Sequence, residues 1–299
     1  MSKKQRKLGL TLGGGGARGF AHIGVYEILR ARKAKIDYIS GCSMGAVIGA
    51  GIAQGKTPAE LLEIAQDFTK HHPGGLTDIR LNNGSIFGGE KVLKSLKKLI
   101  PEDLEFEDLQ IPLSVNAVDL ETGEQIVFNS GNVLKAVLAS SALPGIYPPV
   151  YYKDRLFVDG GIVNSIPVDI CRGMGADNII AVDLKSYVSQ QNMSGLIYHF
   201  YIQDKKEEDY HLKMKKNHLK EAKLRLAFPI NVMMRSLAIT ERKSAERIVA
   251  KIHPEIIIHP HVSEFGMLDF DEYEDIYVEG KRATQDMMEV IEKYLQDIA

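Results

Sequence analysis

The chain has 299 residues, 44% hydrophobic and 25% charged, with a net charge of −2. That length allows one large or two ordinary domains with a sizeable core, and the near-neutral balance gives no footprint for nucleic acid or a strongly anionic partner. Only two cysteines occur, Cys42 and Cys171, which argues against a disulfide framework and for a reducing compartment. No apolar run approaches the roughly 18 residues that cross a bilayer. Lys3, Lys4, Arg6 and Lys7 look like the start of a signal peptide, but Leu8–Leu12 is too short and too quickly followed by glycine to continue it. The expected location is therefore cytoplasmic.

In chain order, Leu8–Leu12 reads as a strand, Gly13–Gly19 as a glycine-rich loop, and Phe20, Ile23, Gly24, Ile28 and Leu29 mark one face of a helix. Ile36–Ser40 is the next strand, so the chain opens with a βαβ unit and implies a parallel sheet. A small-residue helix from Ala46 to about Gln54 follows. Thr57, Pro58 and Glu60 form a good helix start, and that helix runs to Lys70, where His71–Gly75 breaks it. After the turn-rich Asn82–Gly84 and Gly88–Gly89 comes a helix over Glu90–Leu99. Leu113–Asp119 and Gln125–Asn129 flank Glu121–Glu124 as a hairpin. Val133–Ser140 is helical, and Pro144, Pro148 and Pro149 impose an extended loop. Leu156–Asp159 is a strand ending in Gly160-Gly161, Pro167–Arg172 begins a helix, and Asn178–Asp183 and Glu255–His259 are further strands. Leu268 to the C-terminus is acidic and helical. The one shift in composition, at about 189–242, is a polar, lysine-rich stretch expected as an insertion or lid-like segment in a single domain over 7–299.

Gly41-Cys-Ser-Met-Gly45 sits between a strand and a helix, the spelling of a nucleophile elbow. Such a turn presents Ser43 alone at a sheet edge, over the positive end of a helix dipole. The plainer reading is that Ser43 merely caps the helix. Gly14, Gly16 and Gly19 also spell a dinucleotide fingerprint, with Asp37 about twenty residues on. Asp37, however, opens its strand, whereas a ribose-binding acid belongs at the strand's far end, where Ser43 stands. No Gly-Lys-Ser/Thr follows to make a P-loop. The better use of Gly14, Gly15 and Gly16 is an oxyanion hole, because amides without a Cβ nearby approach a carbonyl closely. Parallel topology puts that loop beside Ser43. Asp159, at a strand end before two glycines, is the base the sequence offers.

Together these blocks resemble the patatin-like phospholipase family, in particular bacterial single-domain members. Gly13–Gly19, Gly41–Gly45, Ala139–Val150 and Val158–Gly161 occur in family order within roughly residues 7 to 185. The resemblance implies a three-layer α/β/α sandwich with a mostly parallel central sheet. It also implies a Ser43–Asp159 dyad, an oxyanion hole at Gly14–Gly16 and a lipid acyl ester as substrate; no cofactor is expected. Arg18 matches the family's basic loop residue and is expected to give electrostatic or loop support. Cys42 stands where many members have threonine and is expected to point into the core. A fold retained as a non-catalytic regulator or scaffold is the alternative, and a nucleotide-binding α/β protein a more distant one.

None of the nine histidines reads as a strand-end base, so a Ser-His-Asp triad is not expected; His22, just after the glycine loop, reads as a buried or helix-surface residue. No H-E-x-x-H or C-x-x-C marks a metal site. His211–Leu226 carries six lysines and arginines against one glutamate, with leucines at helix spacing. It reads as a basic amphipathic helix suited to peripheral contact with an anionic membrane surface, against the plainer reading of a solvated helix.

Overall fold

A computed structural model describes residues 6–70, 79–82, 85–87, 90–184 and 218–298. The chain divides into two compact units, Met1–Ser186 with Glu241–Ala299, and Tyr187–Thr240.

In the first unit the strands are β1 (Leu8–Leu12), β2 (Tyr38–Gly41), β3 (Ile79–Asn82), β4 (Ser85–Phe87), β5 (Leu113–Asp119), β6 (Gln125–Phe128), β7 (Val150–Tyr152), β8 (Arg155–Asp159), β9 (Asn178–Val182) and β10 (Ile256–Ile258). The helices are α1 (Ala21–Ala31), α2 (Met44–Ala53), α3 (Pro58–Lys70), α4 (Glu90–Leu99), α5 (Val133–Ser140) and α6 (Val168–Gly173). They continue with α7 (His218–Ile252), whose residues from Glu241 belong to this unit, α8 (Tyr273–Asp286) and α9 (Met288–Ile298).

The main sheet runs β10-β9-β1-β2-β5-β8-β7, with β6 also paired to β5. It is parallel from β10 through β5 and antiparallel where β5 meets β6 and β8 and where β8 meets β7. Every residue of β1, β5 and β9 is buried, the signature of strands covered on both faces. Alternate residues of β9 go to opposite sides. Ile180 and Val182 join the larger core with Leu8, Leu10, Leu12 and Ile39. Ile179 and Ala181 pack with Val168 and Cys171 of α6 and Ala245 of α7. The result is the three-layer α/β/α sandwich, mostly parallel, that the family resemblance implies.

Three elements differ from the sequence expectation. The stretch after Pro148-Pro149 is not only an extended loop, since Val150–Tyr152 pairs with β8. Lys153 and Asp154, both with φ near +50° to +60° (48° and 58°), make the two-residue turn between them. A short ribbon, β3–β4, forms across Asn82–Ser85. The C-terminal helix breaks at Met287 into α8 and α9. Of the lysine-rich segment, residues 189–217 lie outside the described residues. From His218 the backbone is helical, and among the described residues no helix is long and apolar enough to cross a membrane.

Candidate active site

β2 delivers the chain to Ser43, whose backbone sits at φ 53°, ψ −124°. That conformation costs a non-glycine residue on the order of 1–3 kcal/mol and persists only when its surroundings hold it. Here the Ser43 N–H donates to Ser140 Oγ at 2.9 Å. The Ser43 carbonyl accepts from Ala46 and Val47, which starts α2 at Met44, two residues earlier than its pattern suggests. Gly45 is obligatory: a Cβ there would lie 2.1 Å from the Leu12 carbonyl oxygen. The Ser43 side chain makes no capping bond to α2, so the plain helix-cap reading fails. The hydroxyl stands at the helix N-terminus without being used by it.

The glycine loop lies alongside. A Cβ on Gly14 would meet Ser43 Cβ at 3.4 Å. Not all of the loop's amides face outward, however. Gly13 N–H donates to Val182 O at 3.1 Å, Gly14 N–H to Ser165 O at 2.9 Å, and Ala17 N–H to Met267 O at 2.9 Å. Gly14 is thus engaged in fastening the loop to the segment after β8 and is not an available donor. Among the described residues, Gly15 and Gly16 N–H have no acceptor. Gly16, at φ +59°, turns the chain at this point.

Two side chains hold the loop from behind. His22 is fully buried, and its Nε2–H donates to the Gly13 carbonyl at 2.8 Å. Burial pushes its pKa down to about 4, against the smaller opposing pull of that bond. Arg18 Nε donates to Phe265 O at 2.7 Å; burial lowers its pKa and nearby Asp269 opposes the shift. Arg18 therefore ties the loop to the segment before α8.

Asp159 arrives by another route. On one side of β5, Gly41 is opposite Val115 and Asp159 is opposite Ala117, while the other side is taken by β6. β2 runs parallel to β5 and β8 antiparallel, so their C-terminal ends meet head to head, separated by the single residue Asn116. Asn116 is fully buried and its Nδ2 donates to the carbonyls of Gly160 (3.3 Å) and Asn164 (2.9 Å), which pins the turn after Asp159. Asp159 is 3% exposed. Its Oδ1 accepts from Gly161 N–H at 2.7 Å and lies 3.8 Å from the Cys42 thiol. Cys42 is buried, as its type suggested, but it faces the carboxylate rather than hydrocarbon alone.

Ser43 also lies in the wall of an apolar cavity of about 110 Å³. Phe20, Val47, Leu61, Phe68, Leu96 and Phe270 supply much of its surface. Phe20 and Phe68 both make edge contacts with Phe270, at centroid separations of 6.1 and 5.1 Å.

One histidine stands at the end of the last strand, where the sequence puts it. His259 follows β10 and its Nδ1 lies 3.5 Å from Asp183 Oδ2. β10 is three strands away from β2, roughly 14 Å at a spacing of about 4.8 Å, too far to serve Ser43. Ser140, Asn116 and Asn164 carry no individual signal in the motifs named above. An asparagine in the otherwise buried run of β5 is the signal that could have found Asn116.

The family model for patatin-like phospholipase matches residues 10–172. An uncharacterised NTE family protein of Mycobacterium tuberculosis is 38% identical over 178 residues, 60% of this chain and 49% of that protein. Patatin-like phospholipase domain-containing protein 6 of Mus musculus is 29% identical over 307 residues, 97% of this chain and 22% of that protein. Among solved structures, VipD from Legionella pneumophila gives a TM-score of 0.40 at 17% identity, over 64% of this chain and 52% of that one. The type III effector ExoU gives 0.38 at 13% identity, over 99% and 54%. The chain spans about half the length of the mycobacterial relative and about a fifth of the mouse protein. The matched span holds the glycine loop, the elbow and Asp159, and covers more than half of the 299 residues: the chain belongs to the patatin-like phospholipase family.

Proposed function

We propose that this chain hydrolyses lipid acyl esters, of phospholipid or lysophospholipid type, through Ser43 and Asp159. The observation that carries the reading is a strained, uncapped serine in the wall of an apolar cavity. The cavity suits an acyl chain and the elbow suits a nucleophile. Asp159 takes the hydroxyl proton as Ser43 attacks the ester carbonyl, and the Gly15 and Gly16 amides receive the oxyanion. The alcohol leaves with that proton. Water, deprotonated by the same carboxylate, then cleaves the acyl-enzyme to the free acid. A carboxylate with a reference pKa of about 3.9 is a weak base, so burial and direct approach to the hydroxyl are what let it work. Fluorophosphonate labelling of the wild type, absent in Ser43→Ala, followed by turnover on a lipid-ester panel, tests the reading. Equal labelling of both proteins overturns the nucleophile, and labelling without turnover on any ester favours the scaffold alternative.

The basic segment His211–Leu226 supports a second part of the proposal, peripheral docking on an anionic membrane surface. Each cation contributes on the order of 1 kcal/mol near such a surface. Changing Lys213, Lys215, Lys216, Lys220, Lys223 and Arg225 together to glutamine should abolish salt-sensitive sedimentation with anionic vesicles and leave soluble-ester turnover intact. Unchanged sedimentation removes the docking role.

A further inference from the structure

The glycine loop is held by a turn far along the chain, between β10 and α8. Phe265 O accepts from Arg18 Nε at 2.7 Å, and Met267 O accepts from the Ala17 N–H at 2.9 Å. Gly16 lies flush on the same backbone, since a Cβ there would sit 2.3 Å from Met267 O. The amides of Gly15 and Gly16 therefore take their direction from Gly14 on one side, bonded to Ser165 O, and from Met267 on the other.

One side chain closes this turn. Asp269 Oδ2 accepts from the Gly266 N–H at 2.6 Å, and the Asp269 N–H donates back to Gly266 O at 3.4 Å. Gly266 permits the closure, because a Cβ on it would lie 2.8 Å from Asp269 Oδ1. With residues 266 and 269 joined, the carbonyls of Phe265 and Met267 are offered two residues apart to the glycine loop. The Asp269 charge also attracts the Arg18 guanidinium. The same turn borders the substrate's space: Met267, Leu268 and Phe270 stand in the wall of the cavity that holds Ser43. One short segment thus touches both the oxyanion loop and the acyl cavity.

We propose that Asp269 is a positioning residue for the oxyanion hole. It closes the turn whose Phe265 and Met267 carbonyls aim the Gly15 and Gly16 amides, and an acyl chain packed on that turn reinforces the aim. This rests on the reading of Ser43 as nucleophile and of those amides as oxyanion donors. Asp269 touches no reacting atom. Part of the acyl chain's binding energy is then realised only in the transition state, where it raises kcat rather than lowering KM.

The test is kcat and KM on nitrophenyl acetate and nitrophenyl octanoate for wild type, Asp269→Ala and Asp269→Asn. Asp269→Ala should lower kcat on the acetate about a hundredfold, the size of a lost oxyanion donor, with KM little changed. On the octanoate, whose chain restores the turn, the loss should be only about tenfold. Asparagine keeps an oxygen for the Gly266 N–H and should stay within about threefold of wild type on both esters. Unchanged kcat in Asp269→Ala, a loss that falls on KM, or a loss as large on the octanoate as on the acetate overturns the proposal. So does an asparagine variant as impaired as the alanine one. If Asp269→Ala does not fold, Asp269→Glu, which carries the carboxylate one methylene past the Gly266 amide, bears the same expectation. Ser43→Ala, assayed in parallel, separates the two claims. Turnover surviving Ser43→Ala overturns the nucleophile and this inference with it. Ser43-dependent turnover beside an unimpaired Asp269→Ala overturns the role of Asp269 alone.

Discussion

From β10 to β5 the sheet is parallel, while β8 and β7, the strands that continue it beyond the end of β2, run antiparallel, and the two regions each supply one member of the proposed dyad. The parallel region places Ser43 by a local device. A strand, a forced turn and a helix follow one another within a few residues, and Gly45 lets them close against Leu12. The antiparallel region places Asp159 by register. β8 turns back from β7 and stops on β5 two positions from where β2 stops, so the ends of two oppositely directed strands meet. A local turn is robust to changes elsewhere; a meeting of strand ends depends on a register that distant residues maintain.

The largest effects should remove either member. Ser43→Ala and Asp159→Asn should each lower ester turnover by several orders of magnitude with folding intact, and the double variant should be little worse than either, because groups acting as a unit are not additive. Full additivity would dissolve the unit and leave the two regions catalytically independent.

Next come variants that attack the two placing devices. Gly45→Ala forces a methyl against the Leu12 carbonyl and should cost about 1–3 kcal/mol by overpacking, with roughly a hundredfold loss of turnover from a displaced Ser43. Asn116→Ala leaves the Asn164 carbonyl without its donor, at roughly 1–3 kcal/mol, while the Gly160 carbonyl keeps the N–H groups of Val163 and Asn164. It should depress turnover while leaving fluorophosphonate labelling of Ser43 in place. Loss of labelling in Asn116→Ala, measured on folded protein, would show that the elbow also depends on the register of β8.

A third comparison uses His22, which supports the glycine loop of the parallel region. Its folded pKa of about 4 lies below the ordinary 6.5, so the unfolded chain binds the proton first. The stability that the neutral ring contributes is present above 6.5 and is lost as pH falls from there through about 4, a total of about 3 kcal/mol. His22→Gln should flatten the dependence of the urea midpoint on pH in that window; an unchanged slope would mean that the ring is not held neutral. The smallest effect expected is at Cys42. Cys42→Ser keeps a donor beside Asp159 and Cys42→Ala does not, so the alanine variant alone should shift the acid limb of the rate profile upward, by a fraction of a pH unit. Identical profiles would make Cys42 plain packing.

The parallel region was largely readable in the sequence, and the antiparallel one was readable mainly in its pieces. β1, β9 and β10 are short apolar runs between turn signals, and Gly41–Gly45 carries its geometry in its own spacing. Asp159 could be found beside its two glycines. Its arrival by an antiparallel strand, with β7 behind it, was hidden under three prolines that read as loop. The Gly14 amide looked as available as its neighbours, because nothing in a glycine run tells which amide a distant carbonyl will take.

The sequence by itself determined the α/β class, the glycine loop and the elbow that carries Ser43, because each depends on contacts within a few residues, and it offered Asp159 through the two glycines that follow it. Only the tertiary structure decided which loop amides remain outward, how β2 and β8 meet at Asn116, and what surrounds the Asp159 carboxylate. Those are long-range outcomes of strand register and helix packing, where the partner of a group is chosen by the fold rather than by its neighbours in the chain.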